Sequence, residues 1–218
     1  MKRTTLSLLL TAVMLTTAVP MQAGAQAKAV AGTKVAAGSP SAIVLNSSTS
    51  ILNTIEARRG EFSKNRGALT SYVDSQFGRL FDANYAARLV LGRYARGASN
   101  AEVAAFGDAL QSSLMRRYGS ALLDFNTKLS VGIKSERAVK DGAIVVVTTE
   151  YKGRGSAPIN VLYLFRKSGN TWKAFDVSFE GVSMVEQFRG QFAGPLQRKS
   201  IAQVTADLRA GKISASAD

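Results

Sequence analysis

Cysteine and histidine are both absent from this 218-residue chain, and the two absences remove most catalytic and metal chemistry. Without cysteine there are no disulfides or thiolate ligands, so stability has to come from a packed core. Without histidine, Ser-His and Cys-His nucleophile systems and imidazole metal sites cannot be built, so neither a metal nor an organic cofactor is expected. Acid is in short supply: 15 Asp and Glu stand against 28 Lys and Arg, for a formal net charge of +13. A field of that sign favours anionic partners, whether nucleic acid, lipid headgroups or an acidic protein face. The basic residues are scattered, with no run denser than Arg58-Arg59 or Arg116-Arg117, and a surface that is basic only for solubility fits the pattern equally well. Long hydrophobic runs are missing too. The most apolar stretch, Leu6 to Val19, covers about 14 residues where a spanning helix needs roughly 20.

That stretch has a different use. Lys2 and Arg3 precede it and Ala25-Gln26-Ala27 follows, which is the layout of a secretory signal peptide over residues 1–27. Cleavage after Ala27 leaves a mature chain starting at Lys28; cleavage after Ala25 is the close alternative. Losing Lys2 and Arg3 lowers the formal charge of +13 by two, to +11. The absence of cysteine excludes a lipoprotein anchor, and export from the cytoplasm makes nucleic acid the poorest of the anionic partners. Residues 28–39, rich in Ala, Gly, Val and Lys, read as a flexible mature N-terminus, residues 40–211 as one domain and residues 212–218 as a flexible tail. About 190 mature residues suffice for a single core.

Ser39-Pro40 opens a first helix carrying Val44, Ile51 and Ile55 and ending near Arg59-Gly60. Leu69, Tyr72, Val73, Phe77 and Leu80 mark a second over about 68–80, and Asp82 caps a third that stops near Gly97. Ser99 to Glu102 is a capping-box pattern, followed by Val103, Phe106, Leu110, Leu114, Tyr118, Leu122 and Phe125 at steps of three or four. Beyond Asn126 the period falls to two. Four blocks near 129–138, 143–152, 158–167 and 171–180 are separated by breaks too short for a crossover helix, so an antiparallel meander is expected. Ser183 to Glu186 is a second capping-box pattern, opening a helix with Val185, Phe188, Phe192 and Leu196 on one side, which Pro195 is expected to kink or shorten. A last helix runs from about Ser200 to Arg209. The plan is α+β: a curved, cone-like four-stranded antiparallel meander covered by N-terminal and C-terminal helices, as in the nuclear-transport-factor-2-like folds.

In the third strand Ile159, Val161, Tyr163 and Phe165 share one face while Leu162 and Leu164 take the other. Val145 and Val147 alternate with Ile144 and Val146 in the second, and Phe175, Val177 and Phe179 share a side of the fourth. A sheet apolar on both faces either is covered twice or lines a cavity that a ligand fills. Asp176, with Tyr163 or Tyr151 as neighbour, could serve as a general base in a cone of this kind, although an edge charge or loop cap is the plainer role and the spacing supplies no nucleophile. Gly92, Gly97 and Gly181 form no phosphate loop. Arg93, Tyr94, Arg96, Arg116, Arg117 and Tyr118 could make a stacking groove for single strands, but the helical stripe places Tyr118 in the core.

Three stretches carry a resemblance. Asp82 to Arg96 (DANYAARLVLGRYAR), the helix FGDALQSSLMRRYGSALLDF and the block TWKAFDVSFEGVSMVEQFRGQFAGPL resemble the periplasmic phospholipid-binding component of the outer-membrane lipid-asymmetry ABC transport system, the MlaC or toluene-tolerance family. The likeness spans roughly Leu69 to Leu208, and departs from the family pattern at Ala95, where an aromatic is common, and at Gly194-Pro195. It implies a non-enzymatic carrier whose cargo is phospholipid. The implied partners are an inner-membrane ABC transporter complex with its lipid-binding subunit and an outer-membrane lipoprotein–porin complex, and a monomer is expected. The apolar pocket is then expected from Val145, Val147, Val161, Tyr163, Phe165, Val177 and Phe179 of the sheet with Leu89, Phe106, Leu110, Leu114, Met184 and Phe188 of the helices. Val147→Asp or Tyr163→Glu is expected to abolish lipid retention without unfolding the protein.

Overall fold

The first helix, α1 (Pro40–Ala57), begins where the Ser39 side chain accepts the Ala42 N–H and Pro40, which has no N–H to lose, takes the first helical position. The computed structural model describes residues 35–118, 129–153 and 157–215. The leader, the stripe residues Leu122 and Phe125 and the side chain of Tyr118 lie outside that set. After α1 the chain does not stop at Gly60. It makes a short helix α2 (Arg59–Lys64), then α3 (Arg66–Leu80), capped by the Asn65 side chain on the Ala68 N–H. Phe62 of α2 is fully buried with Ile55 and Leu69, tying α1 to α3, and the Arg58 guanidinium lies 4.5 Å over its ring.

Asp82 accepts the Tyr85 N–H and so starts α4 (Ala83–Leu91), as expected; a 3₁₀ turn over Gly92–Ala95 follows. In front of α5 (Asn100–Tyr118) Ser99 and Glu102 form a reciprocal box, each side chain accepting the other's backbone N–H at 3.2 and 2.9 Å.

The strands β1 (Ser130–Val139), β2 (Ile144–Lys152), β3 (Ile159–Ser168) and β4 (Thr171–Phe179) pair antiparallel in sequence order. A fifth, two-residue strand that periodicity could not reveal, β5 (Val182–Ser183), pairs back onto β4. The reversal between them places Glu180 and Gly181 at φ 47° and 87°, the positive-φ pair that a tight hairpin requires. A bulge at Phe175 breaks the expected alternation in β4, so that Ala174 and not Phe175 stands opposite Phe165. Phe175 instead meets Tyr85 edge-on with centroids 5.2 Å apart.

Ser183 starts α6 (Met184–Arg198) by accepting the Glu186 N–H, but the box expected there is half made, because the Glu186 carboxylate pairs with Arg189. The helix runs through Pro195 to Arg198, so Pro195 does not end it. Pro195 sits in the last turn, where one missing N–H rung is the whole backbone loss, and its carbonyl still accepts the Lys199 N–H at 3.0 Å. In α7 (Ile201–Arg209) Ser200 and Gln203 complete a reciprocal box. The chain beyond Gly211 is held through Ala215, contrary to the expected loose tail: Ala215 is wholly buried and its N–H donates to Ser113 Oγ at 3.1 Å.

Beside the small Ile55–Phe62–Leu69 cluster, these elements make two larger apolar clusters among the described residues. One joins α4, α5, α6 and α7 around Phe106 and Phe192, packed edge to face at 5.4 Å. The other lies on one face of the sheet, where Val44 of α1 and Leu80 of α3 cover Val145, Val147, Phe165 and Ala174.

Candidate functional site

Antiparallel register places Tyr151 opposite Ile159, Tyr163 opposite Val147 and Val177, and Val161 opposite Phe179, so these side chains share the face that α1 and α3 cover. The cover is incomplete. Between Ile51, Leu52 and Ile55 of α1, Val73, Phe77 and Leu80 of α3 and the ends of β2, β3 and β4 lies a cavity of about 350 Å³, walled on the sheet side by Tyr151, Ile159, Val161, Tyr163 and Phe179. A second cavity of about 370 Å³ lies between α4, α5, α6 and β4, with Ala83, Ala87, Val90, Leu110, Leu114, Val177, Met184 and Phe188 among its walls. Phe77, Phe81 and Phe179 belong to both, and the rings of Phe77 and Phe81 stack at 4.3 Å. Each volume is in the range of small-ligand sites, and each wall is mostly hydrocarbon.

Of the residues expected to form the pocket, Val161, Tyr163 and Phe179 line the first cavity, and Leu110, Leu114, Val177, Phe179, Met184 and Phe188 the second. Val145, Val147 and Phe165 line neither. They are 6%, 0% and 0% exposed under Val44, which makes them core, and Val147→Asp becomes a folding lesion and not a pocket probe. Phe106 and Leu89 are likewise packed into the helical cluster. The walls contributed by α1, α3 and the Phe81 turn were not among the expected set. Ile51, Ile55, Val73, Phe77 and Leu80 were visible as helical stripes, but a stripe facing a cavity is written in the same residues as one facing a core.

The acid–base pair is not assembled. Asp176 stands opposite Leu164 in the register, on the alternate side from Tyr163. Its carboxylate is filled by donors, from Val177 N–H at 2.8 Å, Val185 N–H at 3.1 Å and Ser183 Oγ at 2.6 Å. It fastens the start of α6 to β4. Glu56, Arg59, Tyr151 and Tyr163 are the titratable groups lining the first cavity, and the Tyr163 phenol is pushed well above its ordinary value by burial first and by the adjoining Tyr151 second. Among the described residues no three His, Cys, Asp or Glu side chains are grouped to hold a metal ion, and no helix is long and apolar enough to cross a membrane.

A family model described as MlaC protein matches residues 46–210, from α1 to the last residues of the packed domain. The chain belongs to the MlaC family. Among its relatives, toluene tolerance protein Ttg2D of Pseudomonas putida is 28% identical over 162 residues, 73% of this chain and 74% of that one. The intermembrane phospholipid transport system binding protein MlaC of Haemophilus influenzae is 23% identical over 166 residues, 75% of this chain and 77% of that one. A phospholipid-binding protein from Ralstonia solanacearum, solved in complex with a phospholipid, superposes with a TM-score of 0.70 at 25% identity, covering 79% of this chain and 97% of that one. The α+β architecture of this MlaC-family chain, an open antiparallel sheet under flanking helices, is thus shared with a lipid-holding protein.

Proposed function

We propose that this chain is a periplasmic phospholipid carrier that moves lipid between outer-membrane and inner-membrane complexes and so maintains outer-membrane lipid asymmetry. The observation that carries the reading is the pair of apolar cavities, about 350 and 370 Å³, that meet at Phe77, Phe81 and Phe179 in a fold shared with a phospholipid-bound protein. Acyl chains would fill the cavities with the headgroup left in solvent. Two chains of about 16 carbons, at about 0.8 kcal/mol per methylene, bring over 20 kcal/mol of gross burial. Ordering and docking losses consume much of that, yet enough remains for lipid to survive purification. The leader over residues 1–27 supports export, and the excess of basic residues suits anionic headgroups or acidic faces on an inner-membrane ABC transporter complex and an outer-membrane lipoprotein–porin complex. A monomer is enough for this task.

Native mass spectrometry of protein purified without detergent from a periplasmic extract, followed by organic extraction, tests the reading. The expected result is a polypeptide beginning at Lys28 with a mass excess matching one or two phospholipids. A bare polypeptide that also fails to take up added lipid would overturn it.

A further inference from the structure

Three hydroxyl groups stand in the first cavity where hydrocarbon would have served. Ser48 of α1, Tyr151 of β2 and Tyr163 of β3 all line it. Ser48 and Tyr163 are buried and Tyr151 half-buried. Their oxygens form a row, 2.6 Å from Ser48 to Tyr151 and 2.9 Å from Tyr151 to Tyr163. Thr149, on the same face, has already given its hydroxyl to the Val161 carbonyl at 2.9 Å and takes no part.

The proton count of the row does not close. Three hydroxyls carry three donors, and two hydrogen bonds use two of them. Ser48 also acts on Tyr163 electrostatically, but no hydrogen bond within 3.5 Å joins those two and closes the row, so one O–H is left over. Elsewhere the chain disposes of helical hydroxyls by turning them back one turn, as Ser63, Thr70 and Thr205 do onto the carbonyls of Arg59, Arg66 and Ile201. Ser48 is turned to Tyr151 instead. Phenylalanine at 151 and 163 would fill the same space without a polar atom, so the hydroxyls add a cost that an acceptor inside the cavity would remove. That acceptor is better neutral than ionic: the lining cation, Arg59, is paired with Glu56 at 2.8 Å, and the row itself offers no charge.

We propose that Ser48, Tyr151 and Tyr163 form an acyl-carbonyl site, in which the spare O–H of the row donates to the carbonyl oxygen of a bound acyl group. The acyl group is either a phospholipid ester or the carboxyl of a free fatty acid held in its protonated, neutral form by burial. The inference rests on the carrier reading and adds to it the point at which the cargo is gripped. Because burial raises the Tyr163 phenol, the row keeps all its protons through the neutral range and remains a donor.

The test compares two lipids that differ only in that oxygen. Delipidated full-length mature protein is offered dipalmitoyl phosphatidylglycerol against its dihexadecyl ether analogue, which lacks both carbonyls. Wild type should favour the ester by roughly 2- to 10-fold, the range of one net hydrogen bond. Because Tyr163→Phe alone would leave a two-hydroxyl row with a spare proton, and Tyr151→Phe alone would unlink Ser48 from Tyr163, the variant is Tyr151→Phe/Tyr163→Phe, in which Ser48 can turn back onto the carbonyl one turn earlier as Ser63 does. It keeps both rings and should match wild type in circular dichroism, and within the variant the ratio of ester to ether affinity should fall to one. Palmitic acid separates the sources. If it displaces the ester lipid from wild type but more weakly from the double variant, the site takes a free carboxyl; if it fails to compete while the ester preference stands, the ester is the ligand. Uptake of ester and ether with equal affinity by wild type, or an ester preference that survives in the variant, overturns the carbonyl site and leaves the carrier reading standing. Uptake of neither lipid overturns both.

Discussion

The two ends of the same sheet face are built from the same residue types and behave differently. At one end Val145, Val147, Phe165 and Ala174 are 6%, 0%, 0% and 0% exposed beneath Val44 and Leu80, and neither of the two cavities reaches them. At the other end Ile159, Val161 and Phe179 border the first cavity; Val161 is 3% exposed and Phe179 46%. Valine, aromatic and alternation are common to both. What differs is the cover: the start of α1 lies against the first end, whereas its later turns and α3 leave about 350 Å³ over the second. A carrier needs both, a stiff floor that folds without cargo and a neighbouring region whose apolar surface stays unsatisfied until cargo arrives.

The sharpest way to break this comparison is to put a carboxylate at each end. Val147→Asp buries an unpaired charge at a position with no solvent access, a loss of several kcal/mol, and cooperative unfolding in urea should disappear. Phe179→Asp at the half-exposed mouth should keep the unfolding free energy, read from urea titration, within about 1 kcal/mol of wild type while co-purified lipid is lost. A folded Val147→Asp protein with wild-type lipid content would reverse the assignment of floor and mouth.

Truncation should give the same order with smaller effects. Phe165→Ala leaves a hole in a packed core and should cost about 3–5 kcal/mol. Phe77→Ala, on the wall between the cavities, should cost roughly 1 kcal/mol, because its ring is already half exposed to space, and lipid binding should be retained or enlarged. Next in size is Asp176→Asn. The amide keeps one acceptor oxygen but sets N–H against the Ser183 hydroxyl, so about 1–2 kcal/mol of stability should go with lipid content unchanged. Asp176 also borders the second cavity, and loss of lipid at unchanged stability would make contact with cargo, and not the fastening of α6, its main role.

Element types and the meander were legible because they are local: Ser39, Asp82, Ser99 and Ser183 announce helix starts, and the period of two from Val131 to Phe179 has no helical alternative. The face carrying Val161 and Tyr163 was legible for the same reason. The cavity was not, because it is a shortfall of cover set by how α1 and α3 sit, and no residue type records a gap. Phe175 was misplaced because a bulge is invisible to strict alternation, and Pro195 misled because a helix interior and a last turn look alike without the next cap. Ser48, near the middle of α1, carries no sign in the sequence that it meets Tyr151 across 103 positions.

Tyr163 lies on the boundary between the two ends and reports how dry that boundary is. In the unfolded chain its phenol ionises near pH 10, whereas in the fold burial and Tyr151 hold it neutral to well above that. Its contribution to stability is therefore complete below about pH 10 and falls as pH rises further, toward the folded-state value. The urea midpoint of wild type should decline through that alkaline window, and Tyr163→Phe, which has nothing to ionise, should decline less. Absorbance at 295 nm gives the second readout, with one phenol lagging behind the exposed tyrosines. A Tyr163 that titrates with the others would place water at the floor of the cavity, and the packed end would then stop at Val147 rather than extend to the hydroxyl row.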